Sequence, residues 1–172
     1  KKKNIFSVVR YGNVWASRGS VVPEFIKVSK NKNLKVPITD PNMTRFSITL
    51  EKGVEMVLWS IKNAKGGEIF VPKIPSYKIT DLAKSICPKN KTKVIGIRPG
   101  EKLHEELITK SDSELTVDIG RYYVILPDIK SYKLYISKFK AKKIIKNFSY
   151  NSRDNKKFLS VDELRNFSKN LS

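Results

Sequence analysis

Four residues in a row, Arg98-Pro-Gly-Glu101, set a guanidinium and a carboxylate three positions apart across a Pro-Gly turn. A guanidinium fixed by a rigid turn can grip a phosphate with paired hydrogen bonds, and a carboxylate beside it can accept from two hydroxyls of a sugar or ribose. Spacing alone does not separate this reading from an Arg–Glu surface pair worth little. A second stretch, Phe6 to Phe25, holds Gly12, Gly19 and Ser20 ahead of the apolar Val21 and Val22, with Pro23 next. Glycines allow sharp turns, and serine with an early proline marks a helix start. The unpaired N–H groups of such a start and the positive end of the helix dipole make an anion site. The other reactive types offer less. His104, Tyr122 and Tyr123 have no orienting partner that the sequence can place, so they read as a solvent-facing histidine and packed strand tyrosines. One cysteine, Cys87, and one histidine cannot build a cysteine/histidine zinc site or a disulfide framework, and Cys87 reads as a buried residue ending a helix.

Strand and helix patterns alternate around these residues. Val8 and Val9 read as a buried strand, and a helix is predicted from about Ser20 to Lys32. Val36 to Phe46 reads as an extended loop with two prolines. Val54, Val57, Leu58 and Ile61 recur at helical spacing between Thr49 and Asn63, ended by Lys65-Gly-Gly67. Glu68 to Val71 is a predicted strand, and Ile79, Leu82, Ala83 and Ile86 give a helix stopped by Pro88. Val94 to Ile97 reads as a strand, with a short helix beyond Gly100 that buries Leu103 and Leu107. Tyr122 to Leu126 is a further strand, and Lys130 to Asn155 has aromatics without a firm period. Ser160-Val-Asp-Glu163 is a capping box opening a helix through Phe167. Alternation of this kind predicts an α/β layer.

With 172 residues and 40% hydrophobic content the chain can bury one sizeable core. No apolar run approaches the roughly 20 residues that cross a bilayer, and no signal peptide is evident, so a cytoplasmic protein without a membrane partner is expected. The net charge of +19 raises nucleic acid as a partner. Only seven of the 35 basic residues are arginine, however, and the lysines are scattered, which favours a solvated surface. The densest cluster, Lys138 to Lys146, is the best case for a nucleic-acid surface.

Six segments together resemble a known family: Arg10-Tyr-Gly-Asn-Val14, Ser17-Arg-Gly-Ser-Val-Val-Pro23, Pro37-Ile-Thr-Asp40, Met43-Thr-Arg-Phe46, Glu68-Ile-Phe-Val-Pro-Lys-Ile-Pro75 and Ile95 to Glu105. In this order they are similar to the inverting UDP-N-acetylglucosamine 4,6-dehydratases, polysaccharide-biosynthesis members of the extended short-chain dehydrogenase/reductases. The resemblance implies the carboxyl-terminal part of an NAD(P)-binding Rossmann-type fold with its small substrate-binding subdomain. It places the substrate half and last Rossmann strands in residues 1–135 and a basic tail with a terminal helix in 136–172. Asn13, Arg18, Gly19, Ser20, Val21, Val22 and Arg45 match substrate-contacting positions, as do Arg98, Pro99, Gly100 and Glu101, and Val14 matches a position facing the nicotinamide cofactor.

The implied activity is that of a lyase that uses NADP to oxidise carbon 4 of the sugar. Water is then lost across carbons 5 and 6, and hydride returns to carbon 6 with inversion at carbon 5. The family also implies a homo-oligomer. Such enzymes need a GxxGxxG turn and a Tyr-x-x-x-Lys pair. This sequence has no such turn, and none of its seven tyrosines has lysine four positions on. The expectation is therefore a carboxyl half that binds UDP-N-acetylglucosamine or a related UDP-sugar, carries no catalytic or metal-binding residue, and is inert alone. A non-catalytic UDP-sugar-binding module and a nucleic-acid-binding protein are the alternatives.

Overall fold

The computed structural model describes residues 4–169, so the basic Lys1-Lys-Lys3 start lies outside the described residues. In chain order the elements are β1 (Val8–Val9), β2 (Asn13–Val14), α1 (Val21–Ser29), β3 (Val36–Ile38), β4 (Thr44–Ile48), α2 (Leu50–Asn63), β5 (Ile69–Pro72), β6 (Ser76–Lys78) and α3 (Ile79–Ile86). They continue as β7 (Thr92–Val94), β8 (Glu106–Ile108), β9 (Thr116–Asp118), β10 (Tyr122–Ile125), α4 (Ser131–Phe139), β11 (Lys142–Lys143), β12 (Tyr150–Asn151) and α5 (Val161–Lys169). The chain passes repeatedly between two compact units. One unit takes the described part of Lys1–Tyr11 with Leu50–Lys73 and Glu106–Asn151; the other takes Gly12–Thr49, Ile74–Glu105 and the described part of Ser152–Ser172. Residues 136–151 pack with the first unit and the described residues beyond them with the second.

The first unit is a five-stranded sheet in the order β1-β5-β10-β9-β11, with β1 parallel to β5 and the other pairs antiparallel. Its core joins Met56 of α2 with Phe70, Val117, Val124 and the α4 tyrosines Tyr132 and Tyr135. Glu68, at the entry to β5, is buried beneath it. Its carboxylate accepts from the backbone N–H groups of Lys65 and Gly66 at 2.7 Å, from Ser7 at 2.9 Å and from the Tyr135 hydroxyl at 2.8 Å. Burial would raise this carboxyl, but the Tyr135 and backbone donors win and hold it below the usual carboxylate range. The basic run 138–146 folds here as well. Lys143 lies over the Tyr132 ring and Lys146 pairs with Glu114.

The second unit holds the parallel pairs β2–β4 and β3–β7, with β6 antiparallel to β4. Its core of Phe25, Ile38, Met43, Leu82, Cys87 and Leu164 brings α1, α3 and α5 together. Each of the aliphatic, aromatic and methionine side chains among them contributes about 1.5–3 kcal/mol on full burial. Cys87 is buried at the end of α3, as expected, and its thiol donates to the Phe25 carbonyl at 3.1 Å. The capping box forms: Ser160 N–H donates to Glu163 at 2.8 Å, and Glu163 N–H donates to Ser160 Oγ at 3.2 Å.

Several expectations are corrected: Val8 of β1, read as buried, is exposed, and Val36 to Phe46, read as a loop, holds β3 and the start of β4. The strand predicted at Val94 to Ile97 is β7, Thr92–Val94, and it stops because Gly96 takes φ +87°. The helix predicted beyond Gly100 does not form, because its backbone groups are drawn into tertiary bonds. The Leu103 carbonyl accepts from Thr44 N–H and the Glu105 carbonyl from Ser152 N–H, after which the chain enters β8. Lys130 to Asn155, read as unpatterned, contains α4, β11 and β12.

Candidate functional site

The site lies wholly in the second unit and begins with two consecutive turns after β2. Ser17 N–H bonds the Val14 carbonyl with Ala16 at φ +57°, and Ser20 N–H bonds the Ser17 carbonyl with Gly19 at φ +78°. A left-handed third residue is the geometry of a type II turn, which glycine accepts without cost and alanine does not. The pair of turns delivers Ser20 to the start of α1 as its N-cap. Its hydroxyl does not cap the helix. Ser20 Oγ is buried and lacks a hydrogen-bond partner, as does Trp15 Nε1 nearby in sequence. A buried hydroxyl without a partner costs about 1–3 kcal/mol, so a polar ligand at the α1 start would relieve it.

Arg98-Pro-Gly-Glu101 forms the second wall. Glu101 N–H donates to the Arg98 carbonyl at 3.0 Å, with Gly100 at φ +79°, which is the Pro-Gly type II turn the sequence predicts. Arg98 is exposed, so its charged head is available.

Arg45 of β4 forms the floor, buried and heavily committed. One guanidinium nitrogen donates to the Thr44 carbonyl at 2.8 Å and the Leu103 carbonyl at 3.1 Å, while Glu101 and Glu105 approach at 3.5 and 3.8 Å. Glu105 also accepts from Phe46 N–H at 2.8 Å; burial pushes its carboxyl up, against the pull of that N–H and of Arg45. The buried Tyr77 hydroxyl, bonded to the Asn13 side chain and near Glu105, is pushed up chiefly by burial.

Asn13, Gly19, Ser20, Val21, Arg45, Arg98 and Glu101 therefore line one cleft of about 250 Å³, completed by residues including Glu24, Thr39 and Met43. The Val22 side chain is buried in the hydrophobic core. Arg18, Pro99 and Gly100 are exposed in the turns that shape the cleft without lining it, and Val14 stands in β2 beside it. Sequence reasoning missed Glu24, Thr39, Met43 and Glu105. Glu24 carried a signal, an acid in the first turn of a predicted helix, whereas Glu105 matters only because β4 brings Arg45 and Phe46 to it.

His104 departs from its expected solvent-facing place on a helix. It sits in a non-helical bend, and its Nδ1 shares a 2.8 Å hydrogen bond with Thr44 Oγ1, which is 2.7 Å from Ser152 Oγ. Burial and the nearby Arg153 lower its basicity. Tyr122 and Tyr123 pack in β10 of the other unit, with Tyr122 against Trp59. Among the described residues, no group of acids, cysteines and histidines could hold a metal ion and no helix is long and apolar enough to cross a membrane.

The chain is similar to several known proteins. A family model described as polysaccharide biosynthesis protein matches residues 1–127. The chain is 48% identical over 169 residues to the UDP-N-acetylglucosamine 4,6-dehydratase (inverting) of Campylobacter jejuni strain 81-176, a match covering 95% of this chain and 51% of that protein. It is 39% identical over 178 residues to a UDP-glucose 4-epimerase of Rickettsia bellii, covering 99% of this chain and 51% of that protein. The X-ray structure of Pen from Bacillus thuringiensis matches with a TM-score of 0.83 and 34% identity, over 97% of this chain and 50% of that one. The chain spans about half the length of the curated relatives it matches. It belongs to the polysaccharide biosynthesis protein family, and its fold is part of a Rossmann-type extended short-chain dehydrogenase/reductase fold.

Proposed function

We propose that this chain is the substrate-holding part of a nucleotide-sugar 4,6-dehydratase acting on UDP-N-acetylglucosamine, in a route to surface glycans. One observation carries this reading: a buried, unpartnered Ser20 hydroxyl at a helix start lines the same cleft as Arg98 and Glu101. Diphosphate needs donors and positive charge, which the α1 start and Arg98 supply. Ribose or hexose hydroxyls need an acceptor, which Glu101 and Glu24 supply. Arg45, fixed by two carbonyls and two carboxylates, is a rigid floor rather than a mobile clamp. The dehydratase and epimerase names of the relatives share a UDP-hexose, in agreement with such a cleft.

The chain's contribution is orientation. A nucleotide gripped at its diphosphate presents its hexose in one pose, and positioning of this kind can lower a barrier by about 7–11 kcal/mol. An NADP cofactor of the whole enzyme does not fit this chain's own residues. The turn at Ala16 and Gly19 has one glycine and no GxxGxxG, so it cannot cradle a dinucleotide diphosphate at the sheet, and no Tyr-x-x-x-Lys pair is present. Hence the chain by itself is inert and binds the sugar nucleotide without turning it over; the intact enzyme is a cytoplasmic homo-oligomer.

With Trp59 replaced by Phe so that Trp15 is the sole tryptophan, the fluorescence of the isolated chain should respond saturably to UDP-N-acetylglucosamine and to UDP. A DNA duplex at about 0.1 M salt should give no response, because scattered lysines do not hold DNA at that ionic strength. Binding of duplex with a steep salt dependence, and of neither nucleotide, would replace this reading with the nucleic-acid one.

A further inference from the structure

Residues 128–146 carry the chain's densest positive charge. They hold seven lysines, no arginine and one acid, a net charge of +6 against +19 for all 172 residues. They form α4 and β11, and β11 is the last strand in the order of the five-stranded sheet. Lysine on an edge strand guards against pairing with another sheet, which by itself would account for Lys142 and Lys143. It does not account for the apolar residues that accompany them.

A groove of about 730 Å³ lies wholly within the first unit, where Ile129, Tyr132 and Ile144 line it together with Lys130, Lys143 and Lys146. Its isoleucines are not sealed away: Ile129 is 73% exposed, and Ile145, between Ile144 and Lys146, is 76% exposed. The acids of the groove are already engaged. Asp128 accepts from the Ser131 N–H and hydroxyl at 2.8 and 2.9 Å, at the start of α4, and Glu114 pairs with Lys146 at 3.7 Å. The Tyr132 hydroxyl donates to the Glu114 carbonyl, and Lys143 lies over the Tyr132 ring. One face of the first unit thus sets bare isoleucine beside excess positive charge.

We infer that this face docks on an anionic lipid membrane, with Ile129 and Ile145 at the acyl boundary and Lys130, Lys143 and Lys146 on the headgroups. The inference goes beyond the sugar-nucleotide cleft, which lies in the other unit, and does not depend on it. Composition chooses the occupant. Faces that grip nucleic acid or protein favour arginine, whose planar fork makes paired hydrogen bonds, and lysine is depleted at protein interfaces. A fluid layer of anionic headgroups asks only for point charges on flexible stems, and a cluster of about four to eight such residues is its usual footprint. Isoleucine left in water gains by entering the apolar boundary, whereas a phosphate backbone offers it nothing. Among the described residues no helix is long and apolar enough to cross a bilayer. The sequence expectation of no membrane partner rested on the same lack, which a surface lying in the interface does not need to remedy.

The test is sedimentation of the chain with vesicles of phosphatidylcholine and phosphatidylglycerol, and with vesicles of phosphatidylcholine alone. Binding to the anionic vesicles is saturable and roughly tenfold or more tighter than to the neutral ones, and it weakens steeply from about 0.1 to about 1 M salt as screening shortens. Lys130→Ala and Lys146→Ala each lower affinity about fivefold, and Ile129→Ser and Ile145→Ser each about tenfold. Lys89→Ala, the same loss of charge in the other unit, leaves it unchanged. All five positions are exposed, so the melting temperatures stay at the wild-type value. A solvent-sensitive fluorophore attached at Ile145→Cys brightens and shifts to shorter wavelength on anionic vesicles. No binding to anionic vesicles overturns the inference. So do equal losses from Lys89→Ala and Lys146→Ala, isoleucine variants that bind as wild type, or a fluorophore whose emission does not change on bound vesicles. Tighter binding of duplex DNA with the same lysine dependence also overturns it and assigns the face to nucleic acid. UDP titration of the same variants keeps the two proposals apart: lost nucleotide binding in wild type defeats the cleft, and the vesicle data alone decide this face.

Discussion

Gly12→Ala is the substitution whose cost follows most directly from geometry. The position needs no special backbone conformation; what it needs is space. A methyl group there would lie 2.4 Å from Phe46 Cβ and 3.3 Å from two backbone atoms of the same residue, against an ordinary contact of 3.4–4 Å. Phe46 is fully buried in β4, so it cannot swing away, and β2 must separate from β4 by about 1 Å. Overpacking of this kind costs about 1–3 kcal/mol. At roughly 2–4 °C per kcal/mol for a protein this size, the melting temperature should fall by about 2–12 °C. The displaced residues are the cleft's own, since Asn13 follows Gly12 and Arg45 precedes Phe46. UDP affinity should therefore fall together with stability. Thermal denaturation by circular dichroism and UDP titration below the transition measure both. A variant that melts and binds as wild type would refute the reasoning, because β2 and β4 would then not be held at the close spacing that the methyl group violates.

Other outcomes follow from the same geometry. Arg98→Ala should weaken UDP binding by about 10–100-fold, the value of charge-assisted hydrogen bonds, while leaving the melting temperature of this exposed position unchanged. Glu68 binds fewer protons folded than unfolded, so its contribution is present above the ordinary carboxylate range and lost as pH falls through its lowered value; Glu68→Gln should flatten the acid limb of a stability–pH curve. Glu105 has the opposite sign: its stability contribution is full below the ordinary carboxylate range and is lost as pH rises through its raised value, beyond which the decline stops. Glu105→Gln should remove that decline, measured by urea denaturation at a series of pH values. Ser160→Ala should cost about 1 kcal/mol in the same assay by removing the α5 cap.

Local signals in the sequence were strong where they depended on neighbours along the chain. The Ser160–Glu163 capping box, the Pro99-Gly100 turn and the Pro88 stop after α3 needed only residues a few positions apart, and each formed where expected. Leu103 and Leu107 mimicked a helical period, yet pairing with β4 and with residue 152 outweighed it. His104 was illegible for the same reason: its partner, Thr44, is 60 residues away. The cleft could be approached through the anion-site logic at Ser20 and the Arg98–Glu101 turn, which local rules expose. Glu105 could not be found this way, because its function as a neighbour of Arg45 exists only once β4 and the 101–105 bend come together.

The central claim is that a sugar nucleotide sits in the second unit's cleft, and amide chemical-shift mapping during a UDP titration tests it most directly. Saturable shifts should appear at Gly19 to Val21, at Arg45 and from Arg98 to Glu101, with the β9–β10 and α4 amides of the first unit unmoved. Shifts confined to the lysines of residues 138–146, or none at all at saturating UDP, would contradict it.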